Sequence, residues 1–190
     1  ARDYVEFPSQ VLQHWLATPE ILNRFALHYQ TGKPIPPDLV ARIRKAEKFN
    51  EGFKTVEALS SAIVDMRLHL AEAGAVDPDR FERGTLEAID MPNEIVMRHR
   101  TPQFMHVFGG DGYAAGYYSY LWSDTITDDA WEAFTEAGGP WDKAIAARLK
   151  HLLSLGNTID PAEAYRQFRG RDPDTGALMR KRGFPEPAKK

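Results

Sequence analysis

The stretch EGFKTVEALSSAIVDMRLHLAEAG, residues 51–74, constrains the fold more than any other part of the chain. Val56, Leu59, Ile63, Met66 and Leu70 recur there at the three- and four-residue spacing of one helix face. Gly74 ends the pattern, as glycine does at a helix stop. The same signature repeats on both sides. PSQVLQHWLAT places Val11, Leu12, Trp15 and Leu16 at helical spacing. Pro8 suits a first helical turn and biases Phe7 away from helix, so the entry near Glu6 is expected to be bent.

TPEILNRFALHYQTG predicts a helix from an N-cap at Thr18, through Pro19, to a stop at Gly32. PPDLVARIRKAEKFN, DPDRFERGTLEAID, PWDKAIAARLKHLLSLG, DPAEAYRQFRG and DPDTGALMRKRG read as further helices. Between Pro92 and Gly112, Pro92, Pro102, Gly109, Gly110 and Gly112 mark a loop, with a short strand expected in FMHVF. A long helix is expected from Tyr113 to about Ala137. The expectation is an all-α, multi-helix domain over residues 1–184, followed by a frayed tail at 185–190.

Composition narrows the chemistry. The 190 residues contain no cysteine, which excludes disulfides, thiolate zinc sites and cysteine nucleophiles. The net charge of −3 and the lack of a basic run argue against a nucleic-acid partner and against an anionic membrane surface. No apolar stretch approaches a membrane span. The absence of cysteine fits a cytoplasmic location, which is the expectation.

The segment HVFGGDGYAAGYYSYLW carries the strongest local signal. On a helix starting near Tyr113, residues Tyr113, Tyr117 and Tyr120 fall at i, i+4 and i+7 on one face, while Tyr118 points elsewhere. Beside a Gly-rich loop carrying His106, such phenols could line a polar cleft and donate to a developing oxyanion. The same stripe fits a packed interface with its hydroxyls satisfied at the edge, and spacing leaves both readings open. Gly109, Gly110 and Gly112 allow close approach of a ligand and movement of the loop.

Glu6 reads either as a metal ligand or acid–base group, or as an acid favoured by a helix start. The six histidines include no pair four apart, so no H-E-x-x-H helix lies in the chain. His69, four after Asp65, reads as a helix-surface pair. His99 and His106 flank a loop and could in principle share a metal. There is no G-x-S-x-G elbow, no Walker A loop and no dinucleotide fingerprint.

Three segments together resemble one family. RDYVEFPSQ, HVFGGDGYAAGYYSYLW and YRQFRGRDPDTGALMRKRGF are similar to the C-terminal part of the zinc oligopeptidases, from about Arg2 to Phe184. That family includes thimet oligopeptidase, oligopeptidase A and the bacterial peptidyl-dipeptidases, or dipeptidyl carboxypeptidases, which look nearest. The resemblance implies the C-terminal portion of a helical zincin-type, neurolysin-like catalytic domain. It implies that Glu6 is the third zinc ligand and that Asp3 orients a ligand. It implies Tyr120 as oxyanion stabiliser and Tyr117, Tyr113 and His106 as substrate contacts. Gly109, Gly110 and Gly112 would form a mobile loop over the cleft.

In that family an H-E-x-x-H helix ahead of the glutamate motif supplies two zinc ligands and the general base. This sequence lacks that helix. The chain is therefore expected to be a piece of a metallopeptidase that cleaves short peptides and releases C-terminal dipeptides. Alone it would be inactive, and zinc would not bind it tightly. Its partners would be short peptides and the upstream part of the same protein, with self-association through an exposed channel wall. The alternative is a stand-alone helical module that binds peptides without cleaving them.

Overall fold

The computed structural model describes residues 1–72 and 74–185; the expected frayed tail lies, after Phe184 and Pro185, outside the described residues. Among the described residues every regular element is helical. The α-helices are α1 (Phe7–Gln13), α2 (Pro19–Phe25), α3 (Pro37–Glu47), α4 (Glu51–Leu70), α5 (Pro78–Glu87), α6 (Met105–Phe108), α7 (Ser119–Glu136), α8 (Lys143–Ser154), α9 (Pro161–Arg169) and α10 (Thr175–Arg182). The chain is all-α, as expected. Short 3-10 turns occupy Arg2–Tyr4, His14–Ala17 and Thr101–Gln103. One isolated antiparallel bridge joins Leu27 and Pro34. No helix among the described residues is long and apolar enough to cross a membrane.

Local chemistry sets four of the helix starts. Asp77, Asp142, Asp160 and Asp174 each stand at an N-cap, and their side chains accept the N–H of Arg80, Ile145, Glu163 and Gly176. Gly170 and Gly183 end α9 and α10 in the left-handed conformation, φ 83° and 76°.

Three expectations are corrected. The helix from Thr18 stops at Phe25 rather than Gly32, because the chain folds back on itself. Ile35 N–H donates to Ala26 and His28 N–H to Lys33, so Gly32 (φ 66°) closes a turn instead of a helix. Thr18 is the N-cap residue, but its hydroxyl donates to the Trp15 carbonyl at 2.7 Å and caps nothing. FMHVF forms a helical turn and no strand. Its spacing explains this: Phe104 and Val107, three apart, are both buried. Finally, the long helix begins at Ser119, six residues after Tyr113.

The chain divides into two compact units. The first comprises Ala1, Asp3–Phe49 and residues 123–185. Its core gathers Phe7 and Val11 of α1 with Ile126, Ala130 and Phe134 of α7, Leu149 and Leu152 of α8, and Tyr165 and Phe168 of α9. The second comprises Arg2 and Asn50–Trp122. Its smaller core is Val64, Met97, Phe104 and Val107, with Leu86, Tyr113 and Tyr117 packed against it. In α4 the buried positions are Ser60, Ser61, Ala62, Val64 and Asp65. The apolar stripe read from the sequence lies beside that face. Leu70, at its end, is 76% exposed.

Candidate functional site

The second unit brings His106, Tyr113, Tyr117 and Tyr120 together. The rings of Tyr113 and Tyr120 stack at 5.4 Å, within 7° of parallel. Tyr117 meets Tyr120 edge-on at 5.2 Å. The His106 imidazole lies 5.7, 5.8 and 6.2 Å from Tyr113, Tyr117 and Tyr120. His99 stacks on Phe104 at 4.9 Å and lies 5.8 Å from Tyr117 and 6.2 Å from His106. The three tyrosines are half-buried and His106 is exposed, so the cluster has both a packed side and a wet side. Tyr118 is 40% exposed and takes no part in these ring contacts.

The cluster is not built the way its spacing suggests. Tyr113–Tyr118 is a chain of turns, and Ala115 sits at φ 54° in the left-handed region. That conformation costs an alanine about 1–2 kcal/mol. Something outside the segment must hold it, and the residue is Asp65. Its side chain is 1% exposed on α4. Oδ1 accepts the N–H of Ala115 at 3.0 Å, and Oδ2 accepts the N–H of Tyr117 at 2.9 Å. Hydrogen bonds to a charged acceptor contribute roughly 1.5–3 kcal/mol each, enough to offset the left-handed residue. His69, one turn on, places Nδ1 3.0 Å from Oδ1 and 2.9 Å from the Asp65 carbonyl. In the pair read as a helix-surface contact His69 is indeed exposed, whereas Asp65 is buried and anchors the turn.

A second buried acid shapes the neighbouring loop. Glu82 of α5 is 3% exposed and accepts both the N–H and the hydroxyl of Thr101, at 2.8 and 2.9 Å. Arg100 pairs with Glu82 and Asp79. This holds the 3-10 turn from which Phe104 enters the core. Sequence reasoning did not single out Glu82, because its partner stands 19 residues away. Of the loop glycines, Gly109 has the clearest need for its lack of a side chain. A Cβ there would stand 2.8 Å from the Met105 carbonyl oxygen. Gly110 is exposed, and Gly112 lies near the Arg2 guanidinium, which sits over the Tyr113 ring at 5.8 Å.

Electrostatics keep two of the rings neutral. Burial pushes the Tyr117 phenol above its ordinary range; Tyr120 and Glu57 add to this and Arg98 opposes it. Tyr117 is thus a hydrogen-bond donor at neutral pH. Burial holds the His99 imidazole below its usual range, helped by Arg98 and His106 and opposed by Glu57.

Glu6 and Asp3 belong to the first unit. Glu6 is the N-cap residue of α1 and half-buried, and its carboxylate makes no cap bond. Its carbonyl accepts the Ser9 hydroxyl and the Gln10 N–H. Phe7, wholly buried beside it, stacks on Tyr4 and fixes where α1 starts. Asp3 is tied down through its carbonyl, which accepts the Ser123 hydroxyl at 3.1 Å. Among the described residues no three His, Asp or Glu side chains gather as a metal site. A catalytic zinc takes about three protein ligands, so the described residues do not by themselves fit the ion.

An all-helical chain with three phenols gathered beside an imidazole is an arrangement that can donate hydrogen bonds to a polarised carbonyl oxygen. Comparisons with known proteins give the family of the chain. The model of peptidase family M3 matches residues 1–184, and the chain belongs to that family. It is 42% identical over 187 residues to the dipeptidyl carboxypeptidase of Escherichia coli K12. It is 34% identical over 188 residues to oligopeptidase A of Haemophilus influenzae, and 34% over 192 to a probable cytosolic oligopeptidase A of Arabidopsis thaliana. Each match covers 96% of this chain and 27% of the relative. The chain thus spans about a quarter of the length of the relatives it matches.

Proposed function

We propose that this chain is the C-terminal part of a zinc peptidase of short peptides that releases C-terminal dipeptides. The phenols of Tyr120 and Tyr117 act on the scissile carbonyl. The observation that carries the reading is the Tyr113–Tyr120 stack with Tyr117 and His106 against it. Tyr120 donates to the carbonyl oxygen as negative charge develops, an interaction stronger in the transition state than in the ground state. Tyr117, kept protonated by burial, holds the substrate by a second donated bond. Tyr113 and His106 border the peptide backbone, and the loop of Gly109, Gly110 and Gly112 covers it.

Glu6 is the third zinc ligand in this reading, Asp3 orients it, and the other ligands come from an upstream part of the same protein. The described residues alone do not fit zinc, so the chain by itself is proposed to be inactive. The greater identity to a dipeptidyl carboxypeptidase than to an oligopeptidase A supports dipeptide release.

The test is peptide cleavage by the complete polypeptide, with products read by mass spectrometry. Successive C-terminal dipeptides are expected, and Tyr120→Phe should lower kcat by about 10²–10³ with intact folding. Glu6→Gln should lower the zinc content. Full activity in Tyr120→Phe, or cleavage by the present chain alone, would overturn the reading.

A further inference from the structure

We infer that Asp65 is a positioning residue that sets where the Tyr117 phenol stands. The inference rests on the function proposed for Tyr117. Asp65 is buried on α4, and its two oxygens are divided between two amides of one turn: Ala115 N–H to Oδ1 and Tyr117 N–H to Oδ2. The turn has a left-handed alanine at its centre, and its own backbone bonds, Gly116 N–H to the Tyr113 carbonyl and Tyr120 N–H to the Tyr117 carbonyl, leave the N–H groups of Ala115 and Tyr117 to Asp65. The Tyr117 backbone is therefore placed from another element, 52 residues away in sequence.

The side chain of Tyr117 then has two packed walls, Phe104 at 4.9 Å and Tyr120 at 5.2 Å, which translate the backbone position into a phenol position. His69 adds a third contact to the same carboxylate, through Nδ1. A carboxylate is the side chain that matches this demand. It presents two acceptors to two donors, whereas an asparagine would turn an NH₂ toward one of the two N–H groups. Acids that merely stabilise α4 would have no need of both amides. Loss of Asp65 frees the turn, and a displacement of an ångström at a group that donates to the transition state is costly to the rate.

The experiment is a double-mutant cycle in the complete polypeptide: wild type, Asp65→Asn, Tyr117→Phe and the double variant. Amide hydrogen exchange is measured on each. Asp65→Asn is expected to lower kcat/KM at least tenfold. It should also speed exchange at Ala115 and Tyr117 while leaving the amides of α4 protected. In the Tyr117→Phe background the same substitution should cost less than threefold, because the phenol it positions is gone. Equal losses in both backgrounds would overturn the inference and make Asp65 a stability residue only. Unchanged exchange at Ala115 and Tyr117 would overturn it too. Full activity in Tyr117→Phe alone would overturn the role given to Tyr117, and with it the part of Asp65 in catalysis; the exchange data would still report whether Asp65 holds the turn. Should Asp65→Asn fail to fold, Asp65→Ser, which keeps one short acceptor in place of two, replaces it in the cycle with the same expected outcomes.

Discussion

The phenol of Tyr165 donates a 2.6 Å hydrogen bond to Oδ2 of Asp129, a carboxylate with no exposed side-chain surface. The same oxygen faces Arg169 at 3.4 Å, and the other oxygen is paired with Arg171. Arg169 in turn grips Glu136 with two nitrogens. This is how the first unit affords a buried charge on α7. Burial, and then Asp129, push the Tyr165 phenol far above its ordinary range, so it stays a donor at every relevant pH.

Removing the acid should therefore cost more than removing the phenol. Asp129→Ala removes the buried acceptor shared by Tyr165, Arg169 and Arg171, leaves Arg169 to Glu136 alone, and is expected to destabilise by about 3–5 kcal/mol. Tyr165→Phe deletes one donor and is expected to cost about 1–2 kcal/mol. Urea unfolding of the two variants checks the order. A smaller loss for Asp129→Ala than for Tyr165→Phe would contradict this account of the network.

Ala115 offers a sharper backbone test. Its φ of 54° suits glycine, and its N–H is held by Asp65. Ala115→Gly should be neutral or stabilise by up to about 1 kcal/mol, as relief of the left-handed conformation is set against glycine's extra chain entropy. Ala115→Pro forces φ near −65° and deletes the donor, and should cost about 3 kcal/mol or more. Melting temperatures of the two variants, moving in the same direction by the same amount, would rule out the strained turn.

What was legible in the sequence was what neighbours in sequence decide. The starts at Asp77, Asp142, Asp160 and Asp174 and the stops at Gly170 and Gly183 are settled within one turn of chain. The residues of the tyrosine cluster were legible too, although the helix expected to align them begins only at Ser119 and holds Tyr120 alone of the three. Tyr113 and Tyr120 meet through a turn whose anchor, Asp65, lies fifty residues upstream, beyond the reach of any periodicity argument. Apolar spacing likewise could not reveal that α4 buries Ser60, Ser61 and Asp65. Those polar groups are paired with backbone: Ser60 and Ser61 donate to the Glu57 carbonyl, and Asp65 accepts from the tyrosine turn. The end of α2 escaped for a similar reason, since the turn that stops it is closed by the bonds of residues 26–35 to one another.

Acid should weaken the first unit through Glu136. The two bonds from Arg169 hold its carboxyl below the usual glutamate range. A depressed folded value means that the stabilisation is present above the unfolded value, roughly 4.3, and is lost as pH falls through the folded one. Glu136 is more than half exposed, so the effect is screened and should stay below about 1 kcal/mol. Asp174 behaves alike, lowered first by the Gly176 amide and then by Arg180. Unfolding curves of wild type and Glu136→Gln should differ at pH 7 and converge as the pH drops below the carboxylate range. A gap that persists at low pH would mean that Glu136 contributes through packing and not through its charge.

Each unit also presents large apolar side chains to solvent. In the first, Phe25 is 66% and Phe49 73% exposed, with Leu12 and Leu16 above half. In the second, Leu70 is 76% and Met105 71% exposed, with Phe108 at 49%. Scattered exposed apolar residues are ordinary in a soluble protein, but several that are nearly bare within one small unit favour association. The isolated chain is therefore expected to self-associate, with a mass by light scattering that rises with concentration. Leu70→Lys with Met105→Lys should shift the second unit's contribution toward monomer without lowering the melting temperature, because neither side chain is buried. A constant monomer mass across a wide concentration range in the unmodified chain would show that these side chains drive no association.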